Sequence, residues 1–310
     1  MSKSPTLQQL RYFVALADSG HFRRAAEAVG VTQPSLSLQI GNLEALLGVR
    51  LVERGRRAHL TPEGREVLPR ARAVLDGVDG ILDVCRAAGG GMPGTLRLGV
   101  SSTLGPYFLP RVLRELRAQH PEVSLVVREG APRDLAVALD EGMHDLILAQ
   151  LPVQSAEFEV ARLFREPLLL VLPLDHPLAA RDGLGEEDIA GLDVLSLGPG
   201  YALHDMLVEI CARAGARLRL DYEGTSLDAL RQMVAVDMGV TFLPALYARS
   251  EIGGAEPDVA VRPYRGGAVT RSMGVAWRRG AGKAPAMRRF AAVAREVAGR
   301  DFRGLIQREG

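Results

Sequence analysis

The sequence predicts an α/β protein opened by a winged helix-turn-helix and a long linker helix, and three observations carry that expectation. Residues 1–61 contain three short amphipathic helix patterns followed by an arginine-rich turn. Residues 62–88 hold apolar positions at a 3-4-3-4-3 spacing. From Thr95 onward, buried-strand runs alternate with helices, the pattern of an α/β domain with parallel strands. The length of 310 residues and 47% apolar content allow two domains with proper cores.

The first helix is read from LQQLRYFVALADSG. Leu7, Leu10, Phe13, Val14 and Ala17 fall on one side and Gly20 stops it. A short second helix, FRRAAEAVG, stops at Gly30 in the same way. Thr32 then caps a third helix, with Pro34 tolerated in its first turn and Val31 placed to staple onto Leu36. On a 3.6-residue wheel Leu36, Ile40, Leu43 and Leu47 form the buried face. The opposite face carries Pro34, Ser35, Leu38, Gly41 and Asn42, with Gln33 at the tip. It is small and nearly uncharged, which suits insertion into a DNA major groove, where amides and hydroxyls read base edges and Leu38 meets a thymine methyl.

RLVERGRRAHL reads as a two-stranded wing turning at Gly55, its Arg54, Arg56 and Arg57 aimed at phosphates. Charge agrees with this reading: residues 1–72 hold 11 Lys and Arg against 6 Asp and Glu, although the whole chain is only +1. Thr61 and Pro62 open a long helix to about Ala88, in which Leu68, Ala71, Leu75, Val78, Leu82 and Cys85 form a coiled-coil seam. An ordinary helix packed on its own domain is the alternative, and Pro69 is placed to kink its start. GGGMPG at 89–94 ends the helix as a hinge.

In the remaining residues, TLRLGV, a Ser-Ser-Thr turn, a helix and SLVVRE form one strand-helix unit, and a second runs from DVLSLGPG through ICARAG to LRLDYEG. Polar turns at strand ends make ligand clefts at helix N-termini: Ser101, Ser102 and Thr103; Gly200 and Tyr201; Thr225 and Ser226. Taken singly, such residues also simply cap helices. Cys211 shares an apolar helix face with Leu203, Leu207, Ile210 and Ala214 and reads as core.

The stretch FRRAAEAVGVTQPSLSLQIGNLEALLGVRLVER resembles the LysR-type transcriptional regulators, and the resemblance runs over nearly the whole chain. It implies a winged helix-turn-helix domain over 1–61, a linker and dimerisation helix over 62–93, and an effector domain over 94–310. That domain is periplasmic-binding-protein-like and two-lobed: about 94–166 with 269–300, and about 167–268. The implied partners are double-stranded promoter DNA, the chain itself as homodimer and homotetramer, RNA polymerase, and a small inducer in the cleft.

TLGPYFLP, EPLLLVLPLDHPLA and TSLDALRQMVAVDMGVTFLPALYA are most similar to the hydrogen-peroxide-sensing members of that family. In those members a low-pKa cysteine just inside a helix is oxidised and a second, nine residues on, resolves it to a disulfide. The resemblance places the first at Ala202 and the second at Cys211. It also carries Thr103, Asp205 and Arg271 onto sensor-pocket positions beside Ser102, while Tyr201 replaces a histidine and His204 an arginine. Alanine at 202 leaves no thiolate to meet peroxide. Two histories fit: an exchange that locks the reduced form, or a natural relative answering another ligand.

No cofactor or metal is expected, and no nucleophile-base pair, metal-ligand spacing or phosphate loop argues for an enzyme. The start lacks a signal-peptide core and the longest apolar run, PLLLVLPL, is far short of a membrane span, so a cytoplasmic protein off the membrane is expected.

Overall fold

The computed structural model describes residues 4–53, 55, 57–88, 95–153, 155–224, 226–254, 256–265 and 268–309, without the side chains of 82–88 and 220–223. The chain forms two compact units: Met1–Pro93 with Asp140–Met143 and Gly280–Ala284, and the remainder.

In the first unit, α1 (Leu7–Ser19) opens with Thr6 and Gln9 in a reciprocal capping box and closes on Gly20 in the left-handed conformation. Helix α2 (Phe22–Ala28) ends two residues before Gly30. Helix α3 (Gln33–Leu47) is capped by Thr32, whose side chain accepts from the Ser35 amide. Leu36, Ile40 and Leu43 are fully buried with Phe13 and Leu16 in one apolar cluster. Leu47 departs from the expected buried face: it is the last helical residue, past the end of that cluster, and it is exposed. Glu44 accepts from the amides of Leu51 and Val52 and so fixes the entry into the wing, β1 (Val52–Glu53) paired antiparallel with β2 (His59–Leu60).

Helix α4 (Pro62–Ala88) starts on Thr61, whose hydroxyl accepts from Gly64 N at 2.9 Å and donates to the Arg50 carbonyl at 2.7 Å. Only glycine fits at 64, because a Cβ there would lie 2.1 Å from the Leu51 carbonyl oxygen. The N-terminal half of the expected seam is used inside this unit: Ala71 joins the winged-domain core, with Val67, Leu68 and Leu75 packed on it. Arg72, 3% exposed, pairs with Asp18 of α1. Cys85 lies among the undescribed side chains.

The second unit is built on β3 (Thr95–Ser101), α5 (Gly105–Gln119), β4 (Ser124–Gly130), α6 (Pro132–Asp140), β5 (Leu146–Gln150) and the long β6 (Phe158–Pro173). A 3-10 turn (Pro177–Ala180), β7 (Asp193–Leu197), α7 (Ala202–Ala214), β8 (Arg217–Gly224), α8 (Leu227–Ala235), β9 (Thr241–Pro244) and α9 (Ala245–Glu251) follow. Then come β10 (Val259–Pro263), β11 (Thr270–Arg278), α10 (Ala284–Asp301) and β12 (Gln307–Arg308). The strand order is β10-β6-β11-β5-β3-β4, with β9 and β12 also on β6.

The expected purely parallel sheets are mixed. β3 is parallel to β4 and β5, and β7 to β8, whereas β11 is antiparallel to β5 and β6, and β9 and β10 to β6. The physical reason is β6. Its first ten residues pair with β11, and its last residues pair with β9 and β10, so one strand crosses between two sheet regions and must be met by returning chain.

His144 is 4% exposed, its imidazole against Gly99 of β3 beside Leu135. Burial lowers its pKa, and Arg128 and Arg97 lower it further. Above about pH 6.5 it is neutral folded and unfolded; below that the unfolded chain takes up the proton first, so stability falls by at most about 1.4 kcal/mol per pH unit. Urea midpoints at about pH 7 and about pH 5 should therefore fall less for His144→Gln than for the parent chain. Equal losses would show that other groups set the acid sensitivity.

Candidate DNA interface and ligand cleft

Capping at Thr32 and burial of the Leu36-Ile40-Leu43 face together decide which side of α3 is left outside. Thr32, Gln33, Pro34, Ser35 and Asn42 are exposed, and Leu38 is 63% exposed. A leucine in water at that level, beside amides and hydroxyls, matches a surface that closes on a base edge. Asn42 also lines a groove of about 630 Å³ with Ser4, Thr6, Gln9, Ala45 and Leu46, which ties the start of α1 to the same face. Sequence reasoning missed that contribution, because only the packing of α1 on α3 creates it. In the wing Arg57 is exposed, while Arg54 and Arg56 lie outside the described residues.

In the second unit the helix after Leu-Gly-Pro-Gly is α7, continuous from Ala202 to Ala214. Tyr201 precedes it in extended conformation without a side-chain cap, and its ring packs on the core of this region. Gly200, Ala202 and Asp205 line a cleft of about 270 Å³ with Arg133, Gln150 and Pro152. Asp205 and Arg133 lie 3.5 Å apart, both mostly exposed, so this pair contributes little to stability. Gln150 is 7% exposed, yet its amide donates to the Met206 sulfur, a weak acceptor.

His204 belongs elsewhere. Its Nδ1–H donates to the Leu197 carbonyl at 2.9 Å with Ser196 Oγ at 3.2 Å, so it anchors α7 to the end of β7.

Cys211 is 4% exposed on the same face as Leu203, Leu207 and Ile210. Burial pushes its thiol up to about 11, so at neutral pH it is a protonated, shielded group and a poor nucleophile.

Thr103 and Arg271, 168 positions apart, are brought together. Arg271 Nη1 donates to Thr103 Oγ1 and Nη2 to the Thr103 carbonyl, each at 2.9 Å, and Ser101 Oγ lies 3.1 Å from Thr103 Oγ1. The other edge of the guanidinium meets Glu166, with Nε and Nη2 at 2.9 and 2.8 Å from Oε2. Glu166 Oε1 accepts from the Leu246 amide at 2.7 Å. Neither charged side chain is exposed at all. Ser102, beside them, has its backbone amide on Gly130.

Glu166 was not anticipated. Its signal was there: an acid opening an apolar run, EPLLLVLP, must find a cation if that run is buried.

Below this cluster Tyr107 packs edge-on against Tyr247 with centroids 5.3 Å apart. Tyr247 donates to Asp228 Oδ1 at 2.8 Å, joining α5, α9 and α8. Among the described residues no group of three or more His, Cys, Asp or Glu is placed to hold a metal, and no helix is long and apolar enough to cross a membrane.

Residues 7–65 match the model of the bacterial regulatory helix-turn-helix protein, lysR family, and residues 89–299 match the LysR substrate binding domain. The DNA-binding transcriptional dual regulator OxyR of Escherichia coli K12 is 39% identical over 241 residues, 77% of this chain and 79% of that protein. A probable hydrogen peroxide-inducible genes activator of Streptomyces viridosporus is 36% identical over 297 residues, 95% of each. Among solved structures, a full-length OxyR variant from Pseudomonas aeruginosa superposes with a TM-score of 0.83 at 33% identity, covering 94% of this chain and 95% of that one. A hydrogen-peroxide-bound OxyR mutant of Corynebacterium glutamicum gives 0.65 at 30%, covering 96% and 93%. With both halves matched in order and relatives aligned from end to end, this chain belongs to the LysR family of transcriptional regulators and is OxyR-like within it.

Proposed function

We propose that this chain is a transcriptional activator of oxidative-stress genes whose hydrogen-peroxide switch is held in its reduced arrangement by Ala202. The observation that carries the reading is α7 itself. A buried cysteine sits nine residues after the first helical position, in a chain similar to proteins named for peroxide induction. The division is 1–61 for DNA, 62–93 for dimerisation and 94–310 for sensing. The sensing part has one lobe of about 94–166 with 269–300 and another of about 167–268.

Thr32, Gln33, Pro34, Ser35, Leu38 and Asn42 meet bases, and Arg54, Arg56 and Arg57 meet phosphates. Thr103, Ser102, Tyr201, Asp205 and Arg271 surround the peroxide position, with His204 supporting the helix start. The working form is a cytoplasmic homotetramer, built of two dimers, on promoter DNA and in contact with RNA polymerase. A second reading, a small-molecule inducer with no thiol switch, is favoured by Gln150, a buried amide lining the cleft whose side chain donates to the Met206 sulfur, a weak acceptor.

Footprinting on upstream DNA with and without peroxide separates these. A footprint that shifts only for Ala202→Cys supports the peroxide switch; a peroxide-independent shift with a metabolite extract supports the second reading. On the DNA side, Arg57→Ala should weaken binding on all sequences and lower the salt slope by about one. Gln33→Ala should relax sequence preference by about 1–3 kcal/mol. Equal loss on operator and random DNA would remove Gln33 from base readout.

A further inference from the structure

We propose that a groove along the outer edge of β10 is a second ligand site, built for an apolar molecule ending in a carboxylate and seated by Arg262. The groove has a volume of about 600 Å³ and shares no lining residue with the cleft at Ala202. β10 is the terminal strand of its sheet, so among the described residues its outer edge faces no strand, with a single bridge from Leu184 to Tyr264 just beyond its end. Pro177, Ala180, Ile252, Pro257 and Val261 make its walls apolar, and the volume falls in the range of small-molecule sites.

Arg262 is the chemistry in that wall. Arg262 is partly buried, and among the described residues its guanidinium is paired with no carboxylate. Nη1 folds back onto the carbonyl of the adjacent Val261 at 2.8 Å, and the buried Nε has no hydrogen-bond partner. A buried donor left unmade is costly, so this arrangement is a resting state that a carboxylate relieves by drawing the fork into the groove. His176, also in the lining, accepts from Leu178 N through Nδ1 at 3.2 Å, which places its proton on Nε2 as a further donor. Asp175 is the one acid among the described lining residues; exposed and solvated, it disfavours an anion less than the two donors favour it. Two donors over an apolar floor select a carboxylate with a hydrocarbon body.

Sodium decanoate and neutral decanol are the probes, titrated by calorimetry into the full chain at up to about 1 mM. Decanoate should bind the parent chain, decanol should bind at least tenfold more weakly, and Arg262→Met should erase that difference by weakening decanoate roughly ten- to hundredfold. Ala180→Trp, at an exposed wall position, should block both probes while leaving the melting temperature unchanged. Equal binding of the two probes, an unaffected Arg262→Met, or no binding by the parent would overturn the proposal. So would the absence of decanoate binding together with an Ala180→Trp change in sedimentation, which would mark the groove as a contact between copies of this chain.

Discussion

Glu166→Ala is expected to destabilise the second unit by about 3–5 kcal/mol, because it leaves the Arg271 guanidinium buried without its counter-charge. The loss is not confined to one bond. Glu166 also accepts from the Leu246 amide at the start of α9, and Arg271 holds the Thr103 turn through two hydrogen bonds. Alanine therefore strands an amide and a cation together. Burial raises the Glu166 carboxyl's pKa, and only Arg271 and the Leu246 amide pull it back toward the charged form. The double variant Glu166→Leu with Arg271→Met removes both charges and should recover most of the single-variant loss, because buried pairs replaced by apolar residues are often near neutral. Urea denaturation of the parent, Glu166→Leu, Arg271→Met and their double closes the cycle. Single-variant losses of under about 1 kcal/mol would mean that water reaches the pair and screens it.

The second large effect is Ala202→Cys, which should let the chain form an internal disulfide with Cys211 under peroxide. In α7 these positions lie about 13.5 Å apart along the axis at 1.5 Å per residue. A disulfide needs Cα atoms within about 7 Å, so the bond cannot form on the intact helix. The buried Cys211 thiol, pushed up to about 11, adds the same requirement from chemistry: it must leave the Leu203-Leu207-Ile210 face to ionise and attack. Oxidation should thus release amide protection across 202–214, read by hydrogen exchange, with loss of two hydrogens in the intact mass. Retained protection across 202–214 after peroxide would mean that no internal bond has closed, because a helix that moves as a body keeps the two positions about 13.5 Å apart.

Much of the first unit was legible in the sequence. Its signals are local: Thr32 and Thr61 cap whichever helix follows them, Gly20 ends one by taking the left-handed conformation, and Leu36, Ile40 and Leu43 recur with the helical period. Leu47 escaped because periodicity tells which side a residue is on, not where the neighbouring core stops. The seam of α4 was ambiguous for a related reason. A partner helix and the chain's own domain demand the same apolar spacing, and Ala71 and Leu75 settle on the domain.

The second unit shows the division most clearly. Alternating strand and helix patterns and the glycine turn into α7 follow from short-range propensity, so sequence alone determined the α/β class and the Ala202–Cys211 relation on one helix. Strand direction did not follow, since pairing with β6 depends on chain returning from far downstream. The buried cluster depends on it too. Glu166 and Arg271 stand 105 positions apart, and no local pattern names either as the other's partner. Only the tertiary structure, by burying both on adjacent strands and aiming the guanidinium at Thr103, turns them into a pair that neither residue could leave without stranding the other.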